Sequence, residues 1–333
     1  MDTQKNTQAL CFFEQEFVKK HNAFFSLKNC DRQGDFWAVP SNLDYDVYVF
    51  DTITSTLDKA HELSKEREMH AFTTFVCQKQ LCGRGQLRRK WESLQDNLYT
   101  AIVLPDAYPF NTEAAAPAFG AITANALEKL GFAVELKWPN DVVQKTEYGY
   151  EKVGGILLEE RNNSLVAGMG INVFSAPPNE LLRENFLISA GKLKNFSMPD
   201  RQREFYNNFN NSLFGGAQKN AENSFQHADK IEEVDKIFIN LGFCFALVKE
   251  INIWYKKNLI SYNNMTWNTL CKKYLAFLGE TVCIKDALVK DSFYSGDIAS
   301  DIVGQIVGLG EEGELLLSSE NGLMYIVGGS ITK

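Results

Sequence analysis

The sequence predicts an α+β fold in which a mixed, mostly antiparallel sheet is flanked by helices and followed by a small C-terminal β-barrel. An alanine-rich amphipathic helix is predicted over Glu113–Leu130. After Glu280 the pattern changes to short apolar runs separated by glycines, which is typical of a barrel. Between these regions, three apolar runs are joined by short turns, which favours antiparallel pairing over a doubly wound parallel sheet: Phe132–Trp138, Lys152–Glu159 and Leu165–Phe174.

Local patterns assign the elements that precede the long helix. Val47–Ile53 is predicted to be a strand, and Ser55-Thr56-Leu57-Asp58 matches a capping box at the start of a helix that runs to about Lys65. Gln78–Asn97 is polar, contains glycine and lacks periodicity, so a long loop is expected there. Two further β-branched runs are predicted strands: Ala71–Cys77 and Leu98–Leu104.

The remaining patterns divide the chain into three predicted parts. Arg161-Asn162-Asn163-Ser164 suits a hairpin turn, and residues 180–278 are predicted to be mainly helical. An N-terminal extension (1–45), a central domain (46–278) and a barrel (279–333) are expected to follow one another. The predicted barrel strands are Thr281–Lys285, Ser300–Leu309, Glu314–Ser318 and Leu323–Val327.

The composition limits the functions that the chain can serve. Its 333 residues indicate about two domains, and 34 Lys and Arg against 42 Asp and Glu give a net charge of −8. A chain this acidic is not built as a whole to hold polyanions, and only Arg84–Lys90 is locally basic. Residues 1–45 show neither the three periodic segments nor the basic recognition helix of a winged-helix DNA-binding module.

The cysteine and histidine contents argue against disulfides and zinc. The seven cysteines include no Cys-x-x-Cys pair, and the four histidines have no partner at ligand spacing, so reduced thiols and no bound metal are expected. The N-terminus lacks the apolar core of a signal peptide. The longest apolar run, Ile237–Val248, is interrupted by Asn240 and is too short to cross a bilayer. The sequence thus predicts a soluble cytoplasmic protein without a membrane partner.

Two polar segments carry residue types suited to anion binding. In Gly83–Trp91, here called the Gly-Arg-Gly loop, glycines let backbone N–H groups approach an anion and arginines add charge-assisted bonds. A flexible, solvated loop would have the same composition. In Lys137-Trp138-Pro139-Asn140-Asp141 a lysine ends an apolar strand, where its ammonium needs an anionic partner. The alternative there is a strand-terminating turn with an exposed lysine.

Glycines recur inside two neighbouring predicted strands. Lys152-Val153-Gly154-Gly155-Ile156-Leu157 contains one pair, and Gly168-Met169-Gly170-Ile171-Asn172-Val173 contains another. Glycine in a strand interior marks a bulge or the close approach of a ligand or another backbone. Bulges explain each pair separately but not the recurrence, so a surface flattened for a planar ligand is predicted.

Together these four segments, with Ser55-Thr56 before them and Gly328-Gly329 in the barrel, resemble the biotin protein ligase family. The resemblance covers about Val47–Asn172 and the chain from about Glu280 onward. It implies a catalytic domain like those of class II aminoacyl-tRNA synthetases, followed by an SH3-like barrel. It also implies that ATP activates biotin to biotinyl-5'-AMP, with Mg²⁺ held mainly by the nucleotide phosphates. The biotin would then pass to a lysine of a biotin carboxyl carrier domain of a biotin-dependent carboxylase.

Carried over by motif position, the resemblance implies roles for individual residues. The residues implied in catalysis are Lys137, Arg84 and Asp141. Those implied in biotin binding are Ser55, Thr56, Gln80, Gly83, Arg84, Gly85, Lys137, Gly154 and Gly155. Those implied in ATP binding are Arg84, Arg89, Trp91, Lys137, Asn140, Lys152, Gly168, Gly170 and Asn172.

The chemistry of the two steps agrees with these roles. Attack of a carboxylate on the α-phosphorus of ATP brings two anions together, and the fixed charges of Lys137 and Arg84 would offset their repulsion. The acceptor amine must then lose a proton, for which Asp141 is the nearest candidate. Four positions depart from the family pattern: Leu57, where Asn is common, and Gln86, Leu87 and Arg88 in the loop. We expect the loop changes to weaken retention of the adenylate.

Three alternatives stay open at this point. A lipoate protein ligase shares the fold, although the segment from Lys137 to Asp141 and the barrel favour biotin. A biotin-sensing repressor needs an N-terminal winged helix, which the pattern of residues 1–45 does not predict. A non-catalytic biotin-binding protein requires that the loop changes disable the reaction.

Specific DNA binding is expected to be absent, because the chain is acidic and no recognition helix is predicted. A gel-shift titration at physiological salt, with biotin and ATP present, should give no sequence-selective complex. Selective binding at submicromolar concentration would revive the repressor alternative.

Overall fold

The computed structural model describes residues 31–33, 36–39, 45–86, 89–95, 97–178, 188–194, 233–260, 267–290 and 301–332. The strands in these ranges are β1 (Asp31–Gln33), β2 (Phe36–Val39), β3 (Val47–Ile53), β4 (Thr74–Gln80), β5 (Leu98–Val103), β6 (Glu135–Lys137), β7 (Asp141–Thr146), β8 (Gly149–Arg161), β9 (Ser164–Ile171), β10 (Ser189–Ala190), β11 (Thr281–Val289), β12 (Ile302–Leu309), β13 (Leu315–Ser319) and β14 (Gly322–Thr332). The helices are α1 (Thr56–Glu66), α2 (Ala115–Lys129), α3 (Glu233–Ile260) and α4 (Trp267–Tyr274).

The first ten strands form one mixed sheet. Its order is β1-β2-β3-β4-β5-β9-β8-β7-β6, and β10 pairs with β8 outside this path. β3 with β4 and β8 with β10 are parallel pairs, and the other pairs described in this sheet are antiparallel. The predicted mixed, mostly antiparallel sheet is therefore confirmed.

Helices cover both faces of this sheet, in agreement with the predicted sheet flanked by helices. α1 packs over β4, β5 and β9, where Leu57 joins a buried cluster that includes Phe75 and Tyr99. The larger core lies on the other face, beneath α2, α3 and α4. Small residues bring α2 close to the sheet, because a Cβ at Gly120 would lie only 2.6 Å from Leu136 Cδ1.

The hairpin between β8 and β9 forms at the predicted turn. Asn162 and Asn163 have φ angles of 52° and 58°, a left-handed conformation that asparagine tolerates better than most residues. Arg161 pairs with Ser164, and the same register sets Gly155 opposite Gly170. The turn thus aligns the two glycine-bearing strands.

The C-terminal strands β11 to β14 close into an antiparallel barrel, which confirms the predicted one. Two hydrogen bonds tie its β12–β13 connection to the rest of the molecule. The buried indole of Trp138 donates through Nε1 to the Gly313 carbonyl at 2.8 Å, and Asn268 Nδ2 donates to the Gly310 carbonyl at 3.2 Å. The turn after β6 is therefore in direct contact with the barrel.

Several predicted elements are shifted or incomplete. The strand expected at Ala71–Cys77 begins at Thr74 and runs to Gln80, because β4 continues pairing beside β3 into the expected loop. The expected strand Phe132–Trp138 shrinks to Glu135–Lys137. The capping box is not formed, because the side chain of Ser55 makes no capping hydrogen bond at the start of α1.

Other elements were missed or fall only partly within the described ranges. β7 was not predicted, since its pairing with β6 and β8 is not visible in the local sequence. Within residues 180–278, α3 and α4 are helical as predicted, whereas Ser189–Ala190 is a strand and residues 191–194 and 275–278 are irregular; 180–187, 195–232 and 261–266 lie outside the described residues. In the predicted extension, β2 pairs with β3 and β1 pairs with β2, whereas residues 1–30 lie outside the described residues.

The described ranges also bear on membrane crossing and on the thiols. None of the helices in them has the length and apolar character needed to span a membrane. Five cysteines fall in these ranges and all are free: Cys77, Cys82, Cys244, Cys271 and Cys283.

Replacement of Leu136 by alanine should destabilise the fold, because this side chain is fully buried between β6 and α2. We expect the free energy of unfolding to fall by about 3 kcal/mol, the usual scale for a buried leucine. Leu323, which is 53% exposed, provides the control. Leu323→Ala should change stability by less than about 0.5 kcal/mol. Equal losses in the two variants, measured by denaturant titration, would contradict this packing.

Candidate active site

One cavity of about 730 Å³ brings together most of the residues that the sequence singled out. It opens at the edge of the sheet where β6 to β9 meet the Gly-Arg-Gly loop, and the barrel closes part of its wall. The predicted site residues that line it are Ser55, Thr56, Gln80, Arg84, Gly85, Arg89, Trp91, Lys137, Asn140, Asp141, Lys152, Gly155, Gly168, Gly170 and Asn172.

Two predicted residues, Gly83 and Gly154, do not line the cavity but allow the neighbouring chain to pack closely against their backbone. A Cβ at Gly83 would lie 2.6 Å from Ser93 Oγ and 2.8 Å from the Trp91 carbonyl oxygen. A Cβ at Gly154 would lie 3.0 Å from the Gly170 carbonyl oxygen. In both places the absence of a side chain allows the backbone to pack closely.

A carboxylate between two lysines forms the charged centre of the cavity. Asp141 lies 3.2 Å from Lys137 Nζ and 2.6 Å from Lys152 Nζ, contacting one ammonium with each oxygen. Burial opposes ionisation of Asp141, but the two ammonium groups outweigh it and hold the pKa of this carboxyl below its ordinary value. Lys137 is thus a partly buried, paired lysine rather than an exposed strand end.

The backbone around this centre is fixed by the tight turn that precedes β7. Lys137 pairs with Asp141 across that turn, and Asp141 in turn pairs with Gly155 of β8. The buried side chain of Asn140 donates to the Ile156 carbonyl. Asn140 therefore positions the β6–β7 turn against β8.

The glycines of β8 and β9 form a flat surface on the α1 face of the sheet. A Cβ at Gly170 would lie 2.7 Å from the Trp91 ring, and a Cβ at Gly155 would lie 2.9 Å from it. The indole of Trp91 thus lies against the surface that was predicted to accept a planar group. Lys152 Nζ lies 5.4 Å from the centre of the ring, within the range of a cation–π contact.

Gly168 makes space for Leu57, whereas the other two glycines make space for Trp91. A Cβ there would lie 2.6 Å from Leu57, which is buried and also lines the cavity. The departure at Leu57 is thus accommodated by contact with Gly168, and this part of the wall is apolar.

Polar groups at the start of α1 face the end of β4. The backbone N–H and Oγ1 of Thr56 donate to Gln80 Oε1 at 3.1 and 3.3 Å, and Gln80 Nε2 donates to Ser93 Oγ at 3.2 Å. Ser55 is 1% exposed and lines the cavity beside them. This end of the cavity can therefore offer several hydrogen-bonding groups to a small polar ring.

At the opposite side, Asn172 is engaged with the protein itself. Its Nδ2 donates to the Gly191 carbonyl at 2.9 Å, and its Oδ1 accepts from Asn97 Nδ2 at 3.4 Å. Asn97 Oδ1 in turn accepts from the backbone N–H groups that follow β9. The side chain of Asn172 thus fixes the chain after β9.

Arg84 lines the cavity but its guanidinium contacts two carboxylates outside the lining. Nη1 donates to Asp58 at 2.7 Å, while Nε and Nη2 donate to Glu159 at 3.1 to 3.2 Å. The sequence placed Asp58 in a capping box and gave Glu159 no role. Glu159 follows Gly155 at an even spacing along β8 and so lies on the same face, a signal that the sequence contained.

The barrel residues of the lining were also missed. They lie on β11 and β14 and were given no role in the site, because no local pattern shows which part of the barrel faces the sheet. They are Lys285, Asp286, Gly329, Ser330, Ile331 and Thr332.

Within the described ranges, no group of three or more His, Cys, Asp and Glu residues is arranged to hold a metal ion. Asp141 is the acidic residue at the charged centre, and both its oxygens contact lysines. The side chains at this centre are therefore suited to anions rather than to a resident cation.

Comparison with known proteins agrees with this geometry. Residues 49–175 match the model of the biotin/lipoate A/B protein ligase family, as the resemblance implied. The chain is 32% identical over 142 residues to the bifunctional ligase/repressor BirA of Bacillus subtilis and 31% identical over 131 residues to that of Bacillus spizizenii. These matches cover 39% and 37% of this chain, and 42% and 39% of the two relatives.

Solved structures extend the likeness in fold over more of the chain. A biotin protein ligase from Aquifex aeolicus, solved in complex with biotin and ATP, superposes with a TM-score of 0.53 at 23% identity. The superposition covers 87% of this chain and 98% of that one. A second structure of the Aquifex aeolicus ligase gives a TM-score of 0.51 at 20% identity, over 86% of this chain and 98% of that one.

Replacement of Asp141 by asparagine should make the free energy of unfolding less dependent on pH in the acid range. The pKa of this carboxyl is lower in the folded protein than in the unfolded chain, where it is about 3.9. The ionised carboxylate therefore stabilises the fold above that pH, and this stabilisation is lost as the pH falls through the pKa of the folded protein. We expect Asp141→Asn to cost about 2 kcal/mol near pH 7, because two ammonium groups lose their partner. The difference from wild type should shrink below pH 4. A constant difference from pH 7 to pH 2.5, measured by denaturant titration, would contradict the assignment.

Proposed function

We propose that this chain, whose residues 49–175 match the model of the biotin/lipoate A/B protein ligase family, is a biotin protein ligase. It activates biotin with ATP to biotinyl-5'-AMP and transfers the biotin to a lysine of a biotin carboxyl carrier domain. The observation that carries the proposal is the Lys137–Asp141–Lys152 centre beside a flat glycine surface in one cavity.

The charge of the cavity supports a reaction between anions. Six basic side chains and three acidic ones line it, although the chain as a whole has a net charge of −8. The basic ones are Arg84, Arg89, Lys90, Lys137, Lys152 and Lys285, and the acidic ones are Glu92, Asp141 and Asp286. Arg84 is paired with Asp58 and Glu159 outside the lining, but the other five basic side chains still outnumber the three acidic ones. A local excess of positive charge attracts both a carboxylate and a polyphosphate.

In the first step, the biotin carboxylate attacks the α-phosphorus of ATP and pyrophosphate leaves. Lys137 and Lys152 are already held in the cavity by Asp141, so little reorganisation is needed when negative charge accumulates on the phosphate oxygens. Asn140 holds the turn that carries Lys137, which keeps the ammonium in place. We propose that Mg²⁺ enters with ATP, ligated mainly by the phosphates.

In the second step, the acceptor amine attacks the acyl carbon and AMP leaves. Asp141 is ionised and so can accept the proton that the amine must lose. While it is paired with both lysines it is a weak base. Because the adenylate phosphate competes for the two ammonium groups, Asp141 loses part of their stabilisation and its affinity for a proton rises.

The choice between biotin and lipoate is tested by comparing the two acids. The Aquifex aeolicus neighbour was solved with biotin and ATP, which favours biotin over lipoate for this chain as well. Melting temperature and pyrophosphate release should increase with biotin plus Mg·ATP and stay near background with lipoate plus Mg·ATP. Incubation of the biotin reaction with a carrier domain should add one biotin to its mass. A response to lipoate alone would replace the proposal with a lipoate ligase.

Replacement of Lys137 by alanine should slow biotin-dependent pyrophosphate release on the order of 10²-fold to 10³-fold. The reason is that Lys137 supplies fixed positive charge where the carboxylate meets the α-phosphate. Lys145→Ala, which removes an exposed lysine of β7, is the matched control and should leave the rate unchanged. Equal rates for Lys137→Ala and Lys145→Ala would exclude Lys137 from the activation step.

A further inference from the structure

Arg84 has all three guanidinium nitrogens occupied by carboxylates. Nη1 donates to Asp58 at 2.7 Å, Nη2 donates to both oxygens of Glu159 at 3.1 Å, and Nε donates to Glu159 at 3.2 Å. The side chains of Arg84 and Glu159 are only 30% and 18% exposed, so the fork is shielded from water on most sides. Bidentate, charge-assisted pairs of this type are among the stronger protein hydrogen bonds.

The two carboxylates belong to rigid elements and not to the cavity. Asp58 lies in the first turn of α1 and Glu159 lies on β8, and neither is among the lining residues. Arg161 completes the cluster, with Nη2 2.7 Å from Glu159 and Nη1 3.7 Å from Asp58. Two carboxylates therefore face two guanidinium groups, and the buried ring of His61 lies 3.8 Å from Glu159.

The described parts of the Gly-Arg-Gly loop fold back on themselves above this cluster. The backbone N–H of Gly85 donates to the Arg89 carbonyl at 2.8 Å, and that of Trp91 donates to the Gly83 carbonyl at 2.9 Å. Arg84 and Lys90 form an antiparallel bridge between these bonds. The loop therefore places Trp91 on the glycine surface only while the segment around Arg84 stays in position.

We propose that Asp58 and Glu159 are positioning residues that grip Arg84 and thereby hold the loop over the reaction intermediate. This inference rests on the proposed function, since the intermediate is the acyl adenylate. The escape of this adenylate into water depends on how long the loop stays ordered over it. Ordering the loop costs chain entropy, and the contacts of Arg84 offset that cost. Arg84 acts on the intermediate through loop closure, because contact with a phosphate would require it to leave three nitrogen contacts.

The test measures dissociation of radiolabelled biotinyl adenylate from the full chain. Glu159→Gln, which removes the bidentate charge, should speed escape on the order of tenfold. Asp58→Asn removes the charge from the more exposed carboxylate, which accepts one hydrogen bond from Arg84, and should speed escape roughly threefold. Biotin-dependent pyrophosphate release in the first turnover should change less than about twofold in both variants, because Lys137 and Lys152 are retained.

A double-mutant cycle separates the grip from a general structural effect. In an Arg84→Ala background, Glu159→Gln should change the escape rate by less than about twofold, because the contact that joins Glu159 to the loop is already gone while its Arg161 contact lies outside the loop. Glu250→Gln is the matched control, since it breaks the Lys129–Glu250 pair of 3.0 Å between α2 and α3. It should leave escape unchanged. Escape that is unchanged or slowed by Glu159→Gln, or effects of Arg84→Ala and Glu159→Gln that multiply, would overturn the inference.

A second measurement on the ligand-free protein does not depend on catalysis. Hydrogen exchange of the Gly85 and Trp91 amides, both bonded within the loop, should be at least about threefold faster in Glu159→Gln than in wild type. The amides of α2 should be unaffected. If the wild type forms no adenylate, the proposed function is wrong. The exchange measurement still tests whether Glu159 holds the loop, because it needs no catalysis. Equal exchange in the two proteins would overturn the grip itself.

Discussion

The register between β8 and β9 is the constraint on which the site depends. The left-handed Asn162-Asn163 turn pairs Arg161 with Ser164, and this pairing sets the register of all the other residue pairs between β8 and β9. Gly155 then faces Gly170 and Leu157 faces Gly168 on the side of the sheet that carries α1. A slip of one residue between the strands would turn one of these two glycines to the opposite face, and Gly155 and Gly170 would no longer form one surface. A two-residue turn thus decides whether Trp91 has a surface to lie on.

A second constraint is that the charged centre must favour anions within an acidic chain. Lys137 and Asp141 are fixed to each other by the turn before β7, and Lys152 reaches the same carboxylate from β8. One carboxylate between two ammonium groups leaves a net positive charge while each lysine keeps a partner. This arrangement avoids the cost of burying an unpaired ammonium and still leaves a field that attracts a phosphate. The net charge of the chain is therefore a poor guide to the chemistry of its cavity.

Sequence reasoning succeeded where a short motif determines local geometry. The asparagine turn, the recurring glycines and the lysine at the end of β6 were visible because each acts through its immediate neighbours. β7 was missed because its strand is made by pairing with β6 and β8, and the residues of the barrel wall were missed for the same reason. Asp58 was given a helix-capping role from its spacing, whereas Arg84, distant in sequence, engages its carboxylate. Contacts between distant segments compete with local ones, and the local sequence pattern does not show which of the two a side chain will make.

The period of β8 links the glycine surface to the charged cluster. Alternate residues of a strand share one face, so Gly155, Leu157 and Glu159 lie in line beneath the loop. Gly155 is in contact with Trp91 and Glu159 with Arg84, which means that a single strand holds the loop at two points. Between those points the backbone is also held by the Gly85–Arg89 hydrogen bond and the Arg84–Lys90 bridge, so the span left to order is shorter than the whole loop and its closure costs less entropy. Position 86 lies inside this span, so its missing charge weakens closure less than the loss of either point of attachment would.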